Sequence, residues 1–197
     1  MTAPSPVVVV LSGPNGAGKS TAAPRLLRGS LKVEEFVNAD TLAQGLSAFR
    51  PEDVALDAGR IMLRRLDELE DQRKSFGFEA SLASHALAGR LARLRTHGYA
   101  VHIVFIWLPT ADLAIARVAE RVRAGGHDVP SETVKRRFSR GLRNFFVLYR
   151  PIADTWRLYD GSSIRGPRLV ASGGATTEIR VRDWETWRVA SAEYLDE

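Results

Sequence analysis

The chain alternates short apolar runs with longer amphipathic stretches. Val7 to Leu11 is a valine-rich run without polar alternation, as expected of a strand buried on both faces of a parallel sheet. A helix is predicted from Ser20 to Arg28, a short strand over Phe36-Val37-Asn38-Ala39-Asp40, and a further helix from Thr41 to Ser47. Pro51 fits the first turn of a long helix reaching about Arg73, with Val54, Ala58, Ile61, Met62, Leu66 and Leu69 on one stripe. Ser75 to Glu79 reads as a third strand, and Ser84 to His97 as a helix that Gly98 stops. Val101 to Leu108, VHIVFIWL, is the strongest interior strand signal, and Pro109 ends it. A helix from Ala111 to Arg123 follows, then the turn GGHDVP from Gly125 to Pro130. Ser131 opens another helix by the N-cap rule, running through KRRFSRGLR to about Ile152. Trp156 to Tyr159 is a short strand; Arg168 to Ala171 and Glu178 to Val181 pair across SGGATT; Trp184 to Leu195 closes the chain as a helix. Strands alternating with helices predict an α/β fold, a three-layer α/β/α arrangement on a mostly parallel sheet.

Size and composition narrow this further. At 197 residues the chain suits one α/β domain covering its whole length. Hydrophobic residues at 45% and charged residues at 26% are ordinary for a globular protein, and no apolar run approaches the roughly 18 residues of a membrane helix. No membrane partner is expected. The start, MTAPSPVVVV, has no positive leader or small-residue cleavage site, so a cytoplasmic location is expected. The absence of cysteine excludes disulfides and thiolate metal sites. The net charge of +5 comes mostly from arginine, which suits bidentate phosphate recognition as well as a solvated surface.

Gly13-Pro14-Asn15-Gly16-Ala17-Gly18-Lys19-Ser20 fits the phosphate-loop pattern G-x-x-x-x-G-K-[ST], with a predicted strand before it and a predicted helix after. Its glycines let backbone N–H groups converge on phosphate oxygens, Lys19 reaches the outer phosphates, and Ser20 is placed to ligate Mg2+. Two classes of nucleotide machine are disfavoured. The strongest strand ends Trp107-Leu108-Pro109-Thr110, without the acidic end that holds the magnesium water in motor and transporter ATPases, and no Asn-Lys-x-Asp guanine-reading motif occurs.

Carboxylates instead end two other predicted strands, at Asp40 and Glu79. Ligands of doubly wound sheets sit outside the carboxyl ends of the strands, so the loop, Asp40 and Glu79 can share one cleft. A phosphotransferase needs a carboxylate to take the acceptor hydroxyl's proton and cations to offset charge on the phosphoryl group. Asp40 is the better candidate base, although an Asp there can also cap the Thr41 helix. Glu79 could orient the acceptor or hold magnesium through water. Arg117 and Arg121 lie four apart on one helix face, and Lys135, Arg136, Arg137, Arg140 and Arg143 follow. Most of these suit a solvated face. A nucleic-acid partner is not expected, because Phe138, Phe145 and Phe146 fall at spacings that suit core packing. In a phosphotransferase the segment from about residue 117 to 145 would be a lid, with Gly125 and Gly126 as its mobile turn and His127 as a polar tip.

The set GPNGAGKST, FVNAD, FGFEAS, RVAERVRAGGHDVP and RRFSRGLRNF followed by WRLYDGS resembles the zeta-toxin family of P-loop kinases, in its short form, over about Val7 to Ser162. The resemblance implies transfer of the ATP γ-phosphate to a 3′-hydroxyl on the amino sugar of UDP-N-acetylglucosamine, with Mg2+, in a toxin that an antitoxin partner could cover. It implies nucleotide contacts from Gly13, Asn15, Gly16, Ala17, Gly18, Lys19, Ser20 and Thr21, with Ser20 on the metal. Catalysis would fall to Asp40 as base, with Lys19 and with Arg121 on the transferring phosphate. The substrate side would comprise Asp40, Glu79, Ser81, Arg117, His127 and Arg137. The chain departs from the family at Ala80, where Thr is frequent, and at His127, near a second lid arginine of longer members; Arg123, Arg136 or Arg137 could replace that arginine. A P-loop kinase of another hydroxyl acceptor (a nucleoside, an antibiotic or an RNA end) and a nucleotide-dependent nucleic-acid-binding ATPase are the alternatives.

Overall fold

The computed structural model describes residues 5–31 and 33–194. Strand β1 (Val7–Ser12) lies between β3 (Phe76–Ala80) and β4 (Ala100–Trp107), with β2 (Glu35–Val37) outside β3 and β5 (Thr155–Asp160) outside β4. These five strands are parallel, in the order β2-β3-β1-β4-β5. Two antiparallel strands, β6 (Arg168–Gly174) and β7 (Thr177–Val181), extend the β5 side.

The all-apolar pattern of β1 has a direct cause: Val8, Val9, Val10 and Leu11 are each 0% exposed because both faces of the sheet are covered. On one face Val8, Val10, Phe76, Phe78 and Phe105 pack against α3 (Ala55–Asp71), α4 (Ala86–Thr96) and α7 (Trp184–Ser191) through Leu66, Leu91 and Trp187. On the other, Val9, Leu11, Val104 and Ile106 meet α1 (Lys19–Ala23), α5 (Ala111–Arg123) and α6 (Ser131–Asn144) through Ala22, Ala114 and Val134. Each such buried side chain contributes on the order of 1.5–3 kcal/mol, so the β1 end that carries the glycine loop is among the best anchored points of the fold.

Several expected elements change at their ends. The strand predicted over Phe36 to Asp40 stops at Val37, because Asn38 caps α2 (Ala39–Leu46) by accepting from the Asp40 and Thr41 N–H groups. Asp40 therefore sits inside the first helical turn, neither on a strand nor as the cap. The helix expected from Pro51 begins as a 3-10 turn, Pro51–Val54, before α3 takes over. Pro130, not Ser131, occupies the cap position of α6, while Ser131 is the first helical residue. The helix expected to run to Ile152 widens into a π-helical segment, Phe145–Tyr149, and tightens to 3-10 over Arg150–Ile152. That widening seats Phe145, Phe146 and Tyr149 together in the core, which meets the packing role expected of the two phenylalanines. After α1 the chain also turns π-helical over Pro24–Ser30, where Pro24 has no N–H to give to a regular helical bond. The C-terminal helix ends at Ser191, and Leu195, its expected last residue, lies outside the described residues. No helix among the described residues is long and apolar enough to cross a membrane.

Candidate active site

Strand register assembles the site. Leu11 pairs with Glu79 and Val37 with Phe78, so the loop after β1, the carboxylate at the end of β3 and the residue after β2 emerge side by side. The loop itself tolerates only glycine at its first position. Gly13 has φ +134°, and a Cβ there would stand 2.2 Å from the Ile106 carbonyl oxygen of β4. The loop is thus seated directly on the sheet.

Lys19 is buried and bends back, its Nζ donating to the Gly13 and Pro14 carbonyl oxygens at 3.0 and 2.8 Å. It also stands 3.5 Å from Glu79 Oε1. The other Glu79 oxygen accepts from Ser20 Oγ at 2.9 Å and from Asn38 Nδ2 at 2.9 Å. Lys19 and Ser20 of the phosphate loop and Glu79 of a separate strand therefore form one cluster. Asn38, which sequence reasoning left out of the site, joins that cluster to α2. Its signal was present in FVNAD: a lone Asn ahead of a helix is a favoured cap.

Across the cleft, Asp40 is about half exposed and faces His127, whose Nε2 lies 3.7 Å from Asp40 Oδ2. This is an ion-pair separation, longer than a hydrogen bond. His127 comes from the α5–α6 connection, and Arg121 holds that connection by donating to the His127 carbonyl at 3.1 Å. The Arg121 Nε is buried with no partner. Arg137 of α6 reaches the loop, its guanidinium 3.4 Å from Asn15 Oδ1.

Arg117 and Arg121 share a helix face but not a destination. Arg117 donates to the Gly161 and Ser162 carbonyls, both at 2.6 Å, and lines a separate cleft of about 530 Å³ with Gly16, Ala17, Gly18, Thr21, Arg25 and the 161–167 loop. Ser81 lies under α6, where a Cβ on Gly141 would meet its carbonyl oxygen at 2.5 Å; its hydroxyl accepts from the Ala83 N–H at 3.4 Å. A second cleft of about 550 Å³ borders Asn38 and Thr41 on the β2 side.

Ser20 and Glu79 themselves offer only oxygen atoms, the kind of ligand that suits a hard cation held mainly by substrate phosphates and water. Among the described residues no group of three or more His, Asp or Glu side chains forms a metal cage. The residues present therefore fit a magnesium ion arriving with a nucleotide.

The family model for AAA_33, described as an AAA domain, matches residues 8–148, from β1 into the π-helical segment that follows α6. The chain belongs to this family. An uncharacterized protein of Haemophilus influenzae is 28% identical over 128 residues, covering 64% of this chain and 88% of its own length. The solved AvrRxo1-ORF1:AvrRxo1-ORF2 complex with sulphate ions has a chain that matches at TM-score 0.77 and 18% identity, covering 98% of this chain and 65% of that one. The same complex with ATP matches at TM-score 0.75. The PezAT chromosomal toxin-antitoxin system of Streptococcus pneumoniae matches at TM-score 0.66 and 14% identity, covering 100% of this chain and 81% of that one. The chain thus spans about two thirds of the AvrRxo1-ORF1:AvrRxo1-ORF2 chain it matches, and at these identities the likeness is one of fold.

Proposed function

We propose that this chain is an ATP-dependent phosphotransferase that moves the γ-phosphate to a hydroxyl of a small molecule, the 3′-hydroxyl of the amino sugar of UDP-N-acetylglucosamine being the preferred acceptor. The observation that carries the proposal is the convergence of Lys19, Ser20 and Glu79 with the α2 terminus that presents Asp40. Phosphates enter by replacing the loop carbonyls as partners of Lys19, while the loop N–H groups take the remaining oxygens. Arg117, expected on the acceptor side, instead lines with Arg25 and the 161–167 loop the cleft that takes the nucleoside end of ATP. Ser20, directly, and Glu79, through water, would hold a magnesium ion, which would supply neutralising charge at the phosphates. Asp40 accepts the acceptor's proton, Glu79 orients the acceptor with Ser81 beside it, and Arg121 and Arg137 supply positive charge as the 117–145 lid closes. The ATP complex and the toxin-antitoxin system among the fold neighbours support ATP as donor and an antitoxin-like protein as partner. A cytoplasmic setting and a growth-inhibiting role go with the same proposal.

The test is ADP release measured with UDP-N-acetylglucosamine and with a panel of nucleosides, antibiotics and RNA ends. Turnover that depends on the nucleotide sugar, and its loss in Asp40→Asn with ATP binding retained, is the expected result. Turnover with a different acceptor alone reassigns the substrate. Near wild-type turnover by Asp40→Asn removes Asp40 as the base.

A further inference from the structure

We propose that Asn38 is the positioning residue that locks the phosphate end of the site to the helix presenting the base. The proposal rests on the phosphotransferase function above and adds a residue that neither the phosphate loop nor the strand-end carboxylates would point to.

Asn38 is 7% exposed and uses both ends of its amide. Oδ1 accepts from the Asp40 N–H at 2.8 Å and the Thr41 N–H at 3.4 Å, which caps α2 and fixes where Asp40 starts. Nδ2 donates to Glu79 Oε2 at 2.9 Å and to Ser20 Oγ at 3.3 Å. The orientation of the amide follows from its neighbours: turned over, its NH2 would face two backbone donors and its oxygen would face the Glu79 carboxylate.

No other residue type meets both demands. A cap alone would accept Ser, Thr, Asp or Asn. Asp in place of Asn38 keeps the cap but sets two carboxylates about a hydrogen bond apart, and Ser or Thr caps without an amide to give Glu79. Gln carries the same amide one methylene farther from the helix it must cap.

The consequence concerns what happens when phosphates bind. Lys19 and Ser20 both hold Glu79 now. Both are the groups that turn toward phosphate and magnesium in a loop of this kind. Of the contacts that hold Glu79, the one from Asn38 is free to persist. Asn38 thereby keeps Glu79 in register with Asp40 while its other partners change, and it acts through those two residues, not on substrate.

Two variants test this. Asn38→Asp and Asn38→Ser retain a capping oxygen for α2 and remove the donor to Glu79. The expected result is a melting temperature within a few degrees of wild type, a KM for ATP within about threefold, and kcat reduced at least thirtyfold in both. The pair also keeps the test alive if the new charge of Asn38→Asp prevents folding. Wild-type kcat in a folded Asn38→Ser overturns the proposal, as does a kcat loss that only tracks the lost folded fraction.

A second measurement does not need an acceptor. ATP affinity is titrated by calorimetry with and without MgCl2 in wild type and Asn38→Ser. The gain in affinity on adding magnesium is expected to shrink about threefold in the variant, with metal-free affinity unchanged; an unaltered gain overturns the coupling to Ser20 and Glu79. If wild type turns over no acceptor at all, the phosphotransferase proposal fails, and this binding arm still decides the role of Asn38.

Discussion

The two ends of the site are built on different physical principles. The phosphate end is backbone seated on a buried strand: Gly13 lies against the β4 carbonyl of Ile106, and Lys19 is buried among loop carbonyls. The base end is side chains on helices and a connection: Asp40 is about half exposed, and its facing group, His127, arrives from the α5–α6 connection at 3.7 Å. A site for a common donor can be rigid and local, because every nucleoside triphosphate offers the same phosphates. A site that must admit one acceptor and exclude water after it enters needs surfaces that approach each other, and those come from distant segments.

Changes at the two ends should fail in different ways. Gly13→Ala attacks the rigid end most severely. Its Cβ meets backbone that is itself part of the central sheet, and the positive φ adds strain of about 1–3 kcal/mol. ATP binding should disappear and the melting temperature should drop, measured by calorimetry and thermal unfolding; retention of wild-type affinity would break the comparison. Asp40→Asn attacks the base end. Turnover should fall about 10²–10⁴-fold while ATP binds with affinity within about threefold of wild type, since the Asp40 carboxylate faces His127 and, among the described residues, has no hydrogen bond to the loop.

Smaller effects sharpen the division. His127→Ala should lower kcat about tenfold and leave ATP affinity unchanged, because His127 is held against Asp40 and Arg121. Arg137→Ala reaches the donor side through Asn15 at a long 3.4 Å, so it should raise the KM for ATP by about threefold, the scale of one weak hydrogen bond.

The smallest expected effect lies outside both ends. His102 sits near the start of β4, opposite the site, where burial and the nearby Arg157 push its imidazole below the ordinary histidine value despite Asp154. The folded state therefore resists protonation more than the unfolded chain does. Its contribution to stability is complete above about pH 6.5 and declines as pH falls from there toward the lowered folded value. His102→Gln should flatten stability over that window without altering turnover at pH 8. An unchanged pH profile would mean that other groups set the acid limb.

How far these features could be read from the residues follows from distance along the chain. The apolar β1 run and the glycine loop need only local spacing, and so does the strand-end position of Glu79. α5 likewise falls on its predicted bounds, with Thr110 capping it. Asp40 was expected as the last residue of a strand, yet it lies in the first turn of α2, since the competition between strand and cap is decided by Asn38. Arg117 and Arg121 were legible as one helix face, but long guanidinium side chains four residues apart can reach opposite ways along that helix. The 161–167 loop claims the first and the His127 carbonyl claims the second.

The amino-acid sequence by itself determined that this protein has a mostly parallel α/β sheet, a phosphate loop after its first strand and a carboxylate, Glu79, at the end of the neighbouring strand. Those features depend on periodicity and on residue types within a few positions. Only the tertiary structure decided that Glu79 accepts from Ser20 and Asn38 together, and that His127 faces Asp40. Those contacts join residues 41, 59 and 87 positions apart, so no local preference of the chain could encode them; they exist because strand register and helix packing close the distance.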